Sequence, residues 1–304
     1  MRAFVFPGQG SQYSGMGKDL VEVFPEAREV FQEADDRLGF PISRLCFEGP
    51  DDQLKLTEHT QPAILTASVA VFRILESRGK CPDFVAGHSL GEYSALVAAG
   101  SLAFRDAVGV VRQRGRFMQE AVPVGVGTMA AVIGLEYGAL AAICEEAQQG
   151  QVVSPANINA PGQLVIAGHT AAVERASRLA TDKGARKVVP LPVSAPFHCA
   201  LMKPAEERLA TELAAITFSD LRIPLVNNVD SCLIRTGAEA RAGLIRQVSS
   251  AVRWVEDVER LVREGVTEFV EVGPGKVLSG LIRRIARDAT VTQVGTVEEV
   301  QAYV

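Results

Sequence analysis

A serine bracketed by glycines, Gly87-His88-Ser89-Leu90-Gly91, is the stretch of this chain whose residue types and spacing most directly do chemistry. The apolar run Phe84-Val85-Ala86 precedes it, and Glu92-Tyr93-Ser94-Ala95-Leu96-Val97-Ala98-Ala99, of helical composition, follows. Between a strand and a helix, G-x-S-x-G describes a nucleophile elbow, a tight turn that projects the hydroxyl from the sheet with a helix N-terminus behind it to favour negative charge. Glycines on either side remove Cβ atoms that would clash with strand or helix. The competing reading is a glycine-rich connection whose serine only caps the helix. The flanking strand and helix favour a nucleophile, and so acyl transfer or hydrolysis, without deciding between them.

A serine nucleophile needs a base, and histidine is the usual one near neutral pH. The chain has four histidines. His59 precedes Thr60-Gln61-Pro62 at a helix start and reads as a polar loop or cap residue. His88 adjoins the serine, but neighbours in an elbow point elsewhere, so a positioning role suits it. His169 falls at a strand-to-helix junction and reads as a surface residue. His198, in Ser194-Ala195-Pro196-Phe197-His198-Cys199, stands where the chain returns from an inserted unit to the main one, and it is the expected base. No acid offers itself as a third member. Asp220, Asp230 and Asp257 have no telling local setting, and the acids between Ser89 and His198 sit mostly in helices that read as exposed. A dyad whose imidazole N–H donates to a backbone carbonyl is physically sufficient, because that bond alone fixes the tautomer.

The oxyanion of a tetrahedral intermediate calls for two preorganised N–H donors. Leu90, following the nucleophile, supplies one, and the strand end Pro7-Gly8-Gln9-Gly10-Ser11-Gln12 offers the Gln9 N–H as the other. The most telling further residue is Arg114. In a helix predicted over 104–121, Ala107, Val110, Val111, Phe117, Met118 and Ala121 form one apolar stripe, and Arg114 falls in its middle, with Arg112 and Arg116 opposite. A charge facing the core is costly unless paired. Arg114 is therefore either half of an internal salt bridge or a guanidinium fork held for a substrate carboxylate.

The elements that must position these groups follow from the alternation of short apolar runs with longer amphipathic stretches, which indicates an α/β protein with a largely parallel sheet. Phe4-Val5-Phe6 opens as a strand, with helices predicted near 18–38 and 60–78, then the elbow strand and helices near 90–99 and 104–121. After Pro123 the order becomes strand 127–133, helix 136–148, strands 152–157 and 163–168, helix 170–183 and strand 186–191, a ferredoxin-like βαββαβ unit. Helix 201–215, strand 224–228, helices 237–248 and 254–264, strand 267–272 and helix 276–287 return to the first pattern. The expected architecture is a large hydrolase-like parallel-sheet core from residues 1–124 and 195–304, with a ferredoxin-like small subdomain, 125–194, inserted. A cleft between such units commonly holds a ligand.

Whole-chain properties set the class. The 304 residues are 47% hydrophobic and 22% charged, and the net charge of −5 argues against nucleic acid as a main partner. Five scattered cysteines without C-x-x-C spacing suggest reduced thiols in a cytoplasmic setting. Neither a signal-peptide core nor a membrane span is expected.

Taken together, Phe6-Pro7-Gly8-Gln9-Gly10-Ser11-Gln12, Gln61-Pro62-Ala63, Gly87-His88-Ser89-Leu90-Gly91-Glu92, Arg114-Gly115-Arg116-Phe117-Met118-Gln119, Asn157-Ile158-Asn159-Ala160-Pro161-Gly162-Gln163, Pro196-Phe197-His198 and Glu271-Val272-Gly273-Pro274-Gly275 resemble the malonyl-CoA:acyl carrier protein transacylase family. The resemblance implies Ser89 as nucleophile, His198 as base, Arg114 as malonate-binding arginine and the Gln9 and Leu90 N–H groups as oxyanion donors. It also implies that the Gln247 main-chain carbonyl orients the histidine. No cofactor or metal is expected; the implied substrates are malonyl-CoA and holo acyl carrier protein. A bulky Phe197 beside the acyl pocket would crowd an α-methyl group and favour malonyl over methylmalonyl. Because acyl carrier proteins of this pathway are generally acidic, Lys183, Arg186, Lys187, Lys276, Arg283, Arg284 and Arg287 are candidates for a basic docking rim. A trans-acting acyltransferase of a polyketide synthase would share all these motifs. A thioesterase would have no use for Arg114, and a non-catalytic docking module none for Ser89 and His198.

Overall fold

The computed structural model describes residues 1–193 and 195–304; Ser194, which ends the expected insert, lies outside the described residues. In chain order the strands are β1 (Arg2–Phe6), β2 (Phe84–Gly87), β3 (Gly127–Ile133), β4 (Val153–Ala160), β5 (Gln163–His169), β6 (Lys187–Pro190), β7 (Leu225–Val226), β8 (Leu233–Ile234), β9 (Glu268–Val272) and β10 (Thr290–Val294). They form a six-stranded sheet of order β10-β9-β1-β2-β7-β8 and a four-stranded sheet of order β4-β5-β3-β6. The larger sheet is parallel apart from the β7–β8 pair, and the smaller is antiparallel throughout.

β1 and β2 read as continuous apolar runs because helices cover both faces of the parallel sheet. Ala3, Phe4, Val5, Phe6, Val85 and Ala86 are all fully buried. Helix Thr57–Ser77 is buried almost all round, from Thr60 to Phe72 without a break, as a helix threaded through a core must be. In the small sheet, helices Tyr137–Gln148 and Thr170–Asp182 supply Leu140, Ile143, Val173 and Ala176 to a separate cluster with Val132, Leu164 and Ile166.

The expected helix over 18–38 is two helices, Lys18–Val23 and Pro25–Leu38. Pro25 has no N–H to give and forces the preceding residue out of the helical region, which Phe24 obeys with φ −111° and ψ 120°. The expected strand 152–157 runs on as β4 to Ala160, with irregularities between Pro155 and Asn157 and between Ile158 and Ala160. Helices Ile42–Glu48 and Val297–Tyr303 and the edge strand β10 are additions that the apolar pattern does not announce.

The register places the functional loops. Phe6 pairs with Gly87, so β1 and β2 end side by side and their outgoing loops, Pro7–Gln12 and the elbow, emerge together at the carboxyl edge of the sheet.

Candidate active site

The elbow has the geometry its glycines suggest. A Cβ on Gly91 would lie 2.0 Å from the Phe6 carbonyl oxygen, and one on Gly87 would lie 2.0 Å from the Gly91 carbonyl. Only glycine lets strand, turn and helix Gly91–Ala98 close this tightly. Ser89 is left with φ 52°, a conformation non-glycine residues seldom adopt.

The Ser89 hydroxyl donates to His198 Nε2 at 2.7 Å, and His198 Nδ1–H donates to the Gln247 carbonyl oxygen at 2.9 Å. Gln247 is the last residue of helix Gly237–Gln247, where carbonyls have no partner within the helix and are free to accept. The structure thus brings Ser89, His198 and the Gln247 carbonyl into one chain of hydrogen bonds, with no carboxylate on the histidine among the described residues. Burial, aided by the nearby Arg114 charge, lowers the His198 imidazole to about 3, so the ring is neutral in the free protein and its Nε2 lone pair accepts the Ser89 hydrogen bond.

Arg114 is 2% exposed, on the core face of helix Phe104–Glu120. Its Nη1 donates to Gln61 Oε1 at 2.7 Å, and its Nη2 donates to Gln247 Oε1 at 2.9 Å and to Ser89 Oγ at 3.1 Å. The guanidinium also lies over the Tyr93 ring, 5.5 Å from its centroid. Gly115 permits this placement, since a Cβ there would sit 2.5 Å from the Thr57 carbonyl oxygen at the start of the Gln61 helix. Among the described residues no carboxylate pairs with Arg114, and its Nε has no partner. A direct ion pair is therefore absent from this set: the hydrogen-bond acceptors on the guanidinium are neutral, and the buried Glu92 carboxyl acts on it only from beyond ion-pair distance.

Gln9, Leu90, Ser89, Arg114 and His198 line one cavity of about 190 Å³, together with Phe197. No acceptor among the described residues takes the Gln9 or Leu90 backbone N–H. The Gln9 loop is tied down by Ser11, whose hydroxyl donates to the Gly8 carbonyl at 2.8 Å. Across the cavity, Asn157 and Asn159 of β4 come from the small sheet, and His88 Nε2 lies 2.8 Å from Asn159 Oδ1, so His88 pins the two units together beside Ser89. His59 instead meets the Gln53 carbonyl at 3.0 Å, and His169 Nδ1 accepts from Val152 N–H at 2.9 Å; both stand apart from the cavity.

Two acids correct the sequence reading. Glu92, inside the helix behind the elbow, is buried rather than exposed, and Asp257, without a telling local setting, is wholly buried. Glu92 Oε2 accepts from Asn228 N–H at 3.1 Å and Gln247 Nε2 at 2.8 Å. Glu92 had no signal to give it away: helix Gly91–Ala98 is buried on every face, so no polar side marks where its acid points. Asp257 had one, since it falls on the buried face of helix Trp254–Arg263 with Trp254, Val258 and Leu261, the same period that marks Arg114. The Gln61 and Gln247 side chains that hold Arg114 were invisible as a pair.

Burial raises the Glu92 carboxyl to about 7. In the unfolded chain it would titrate near pH ~4.3, so the folded state retains a proton that the unfolded state loses between those values. The stability this contributes is complete below the unfolded value and is lost as pH rises through 7. Glu92→Gln, which cannot ionise, should therefore gain stability on the parent between about pH 4.5 and about pH 8, by an amount approaching ~4 kcal/mol and seen as a rising difference in Tm. Thermal melts across that range check it; a difference independent of pH would contradict it.

An acyl transferase domain matches residues 3–301 of the chain. The malonyl CoA-acyl carrier protein transacylase of Escherichia coli strain K12 is 53% identical over 291 residues, covering 95% of this chain and 94% of that one. The crystal structure of an acyl carrier protein S-malonyltransferase from Vibrio cholerae superposes with a TM-score of 0.98 at 48% identity, covering 100% of this chain and 99% of that one. A malonyl-transacylase solved in complex with its type II polyketide acyl carrier protein superposes with a TM-score of 0.97 at 47% identity, covering 99% and 98%.

Proposed function

The chain belongs to the malonyl-CoA:acyl carrier protein transacylase family of acyl transferases, and from that membership we propose that it moves a malonyl group from malonyl-CoA to the phosphopantetheine thiol of acyl carrier protein, for fatty-acid synthesis. Ser89 Oγ adds to the thioester carbonyl as its proton passes to His198 Nε2. The oxyanion so formed lies against the Gln9 and Leu90 N–H groups. Collapse expels the coenzyme A thiolate, which takes the proton from His198 and leaves a malonyl-Ser89 ester. The carrier thiol then gives its proton to His198 and attacks that ester, and the Ser89 oxygen recovers the proton as it leaves. The Gln247 carbonyl keeps the imidazole in the right tautomer throughout.

The observation that carries this reading is a buried Arg114, without an ion-pair partner among the described residues, within 3.1 Å of the Ser89 hydroxyl. A carboxylate on the acyl group is what that position lacks, and a hydrolase of neutral esters would gain nothing from it. Nucleophile, base and charge stabilisation all come from the chain, so the steps call for no cofactor. We place the reaction in the cytoplasm, which suits the five free cysteines. No helix among the described residues is long and apolar enough to cross a membrane. A polyketide carrier is the second reading, favoured by the likeness to a transacylase solved with such a partner.

Mixing the protein with malonyl-CoA and each holo carrier, then weighing the carriers, tests both. A malonyl mass gain is expected; free malonate with an unmodified carrier would mean a hydrolase. The basic residues give the carrier arm of the same experiment. Arg186 and Lys187 are exposed on the small unit, and Arg284 on helix Val277–Ile285 reaches Gln163 Oε1 at the β4–β5 turn, 2.6 Å away. Arg186→Glu and Arg284→Glu should raise KM for the carrier several-fold and leave KM for malonyl-CoA unchanged, since rim charges govern encounter. Equal effects on both substrates would count against docking there.

A further inference from the structure

Directly behind the nucleophile lies a set of buried polar groups that the acyl-transfer steps do not use. Asn228 stands two residues past β7, the ladder partner of β2, where the backbone pairing between those strands has stopped. Its side chain carries the ladder on. Ser89 N–H donates to Asn228 Oδ1 at 2.8 Å, while Asn228 Nδ2 donates to the Gly87 carbonyl at 2.8 Å. A peptide of a neighbouring strand would offer the same pair, one acceptor and one donor. The clasp therefore closes over His88, on both sides of the turn that holds Ser89 at φ 52°. It also uses up the Ser89 N–H, so the Leu90 N–H is the elbow donor left for the cavity.

The amide works only one way round. Turned over, it would set Nδ2 against the Ser89 N–H and Oδ1 against the Gly87 carbonyl. Its second Nδ2 hydrogen goes to Asp257 Oδ2 at 2.9 Å, and Gln247 Nε2 donates to Oδ1 at 3.2 Å. Asp257 in turn lies 2.6 Å from Ser231 Oγ through its other oxygen. Asn228 and Asp257 are both 0% exposed, which makes each of these contacts costly to leave unmade.

We propose that Asn228 is a positioning residue for the nucleophile, clamping the Gly87 and Ser89 peptides so that Ser89 Oγ meets both His198 and the thioester carbonyl, and that Asp257 fixes the orientation of the Asn228 amide. The proposal rests on Ser89 being the nucleophile of the reaction above. Burial also raises the Asp257 carboxyl well above the usual range. Asp257 accepts from Ser231 through Oδ1 and from Asn228 through Oδ2; an asparagine in its place keeps an oxygen for Asn228 Nδ2 and sets its amide nitrogen against the Ser231 hydroxyl, which can turn to accept.

The experiment follows malonyl-Ser89 formation by rapid-quench intact mass, alongside labelling of Ser89 by a fluorophosphonate that carries no malonyl group. Asn228→Ala should lower the maximal acylation rate about 100-fold, as small misplacements of a reacting group do, with half-saturation by malonyl-CoA unchanged. Asn228→Asp, of the same shape, should fall as far, because its carboxylate would face the Gly87 carbonyl. Asp257→Leu should be slow, and Asp257→Asn should recover most of the lost rate. Parent-like acylation in Asn228→Ala or Asn228→Asp, or a loss confined to half-saturation, would overturn the proposal. Should Asn228→Ala not fold, the Asp257 pair decides: a packing role favours leucine over asparagine, and that order overturns it. If the parent forms no malonyl adduct yet is labelled at Ser89, the malonyl reading fails, while the labelling rates of the variants still test Asn228.

Discussion

Arg114→Ala is expected to cut kcat/KM for malonyl-CoA by about two to three and a half powers of ten while acetyl-CoA turnover holds or improves, since breaking a buried charge-assisted pair costs about 3–5 kcal/mol. The structure gives this more force than the helical stripe alone did. Arg114 donates to two glutamine side-chain oxygens and to Ser89 Oγ, and to no carboxylate among the described residues. In the free enzyme one N–H thus occupies a lone pair of the Ser89 oxygen. The positive charge also contributes to the low basicity of His198. A malonyl carboxylate that drew the fork onto itself would relieve both restraints as it bound; an acetyl group would relieve neither. Part of the loss should therefore appear in kcat rather than KM. Lysine at 114 keeps the charge without the fork and should restore only part of the malonyl rate. Both acyl groups, measured with the melting temperature, decide the matter. A parallel fall for the two substrates with a lowered Tm would mean that Arg114 only supports the fold.

Ser89→Ala should abolish the malonyl adduct that intact-mass analysis finds after malonyl-CoA alone, and His198→Ala should slow its formation by about two to four powers of ten. The 2.7 Å contact from Ser89 to His198 and the 2.9 Å contact from His198 to the Gln247 carbonyl make His198 the group placed to take the serine proton among the described residues. An undiminished adduct in Ser89→Ala would remove Ser89 from the mechanism. A normal rate in His198→Ala would remove the base.

Some of this site was legible in the chain because local geometry decides it. The elbow shows itself through Gly87 and Gly91, since the close approach that excludes a Cβ involves neighbours in sequence and the adjoining strand end. Arg114 shows itself through the 3.6-residue period, which assigns a helical residue to the core face before the core is known. The βαββαβ run reads from alternating patterns alone, and its four strands form the sheet β4-β5-β3-β6. Phe24 marks a local signal left unread: the helix predicted over 18–38 ran across a break that the backbone demand of Pro25 places.

The sequence by itself determined the parts whose conformation is set within a few residues: the elbow, the glycine-rich loop bearing Gln9, and the helix face bearing Arg114. Tertiary structure alone decided their partners. Gln61 and Gln247 reach Arg114 across 53 and 133 residues, Asn228 reaches Ser89 across 139, and the Gln247 carbonyl reaches His198 across 49. No periodicity spans such separations. A hydrogen bond depends on the final positions of its two atoms to within a few tenths of an ångström, and those positions exist only once strand register and helix packing have been set.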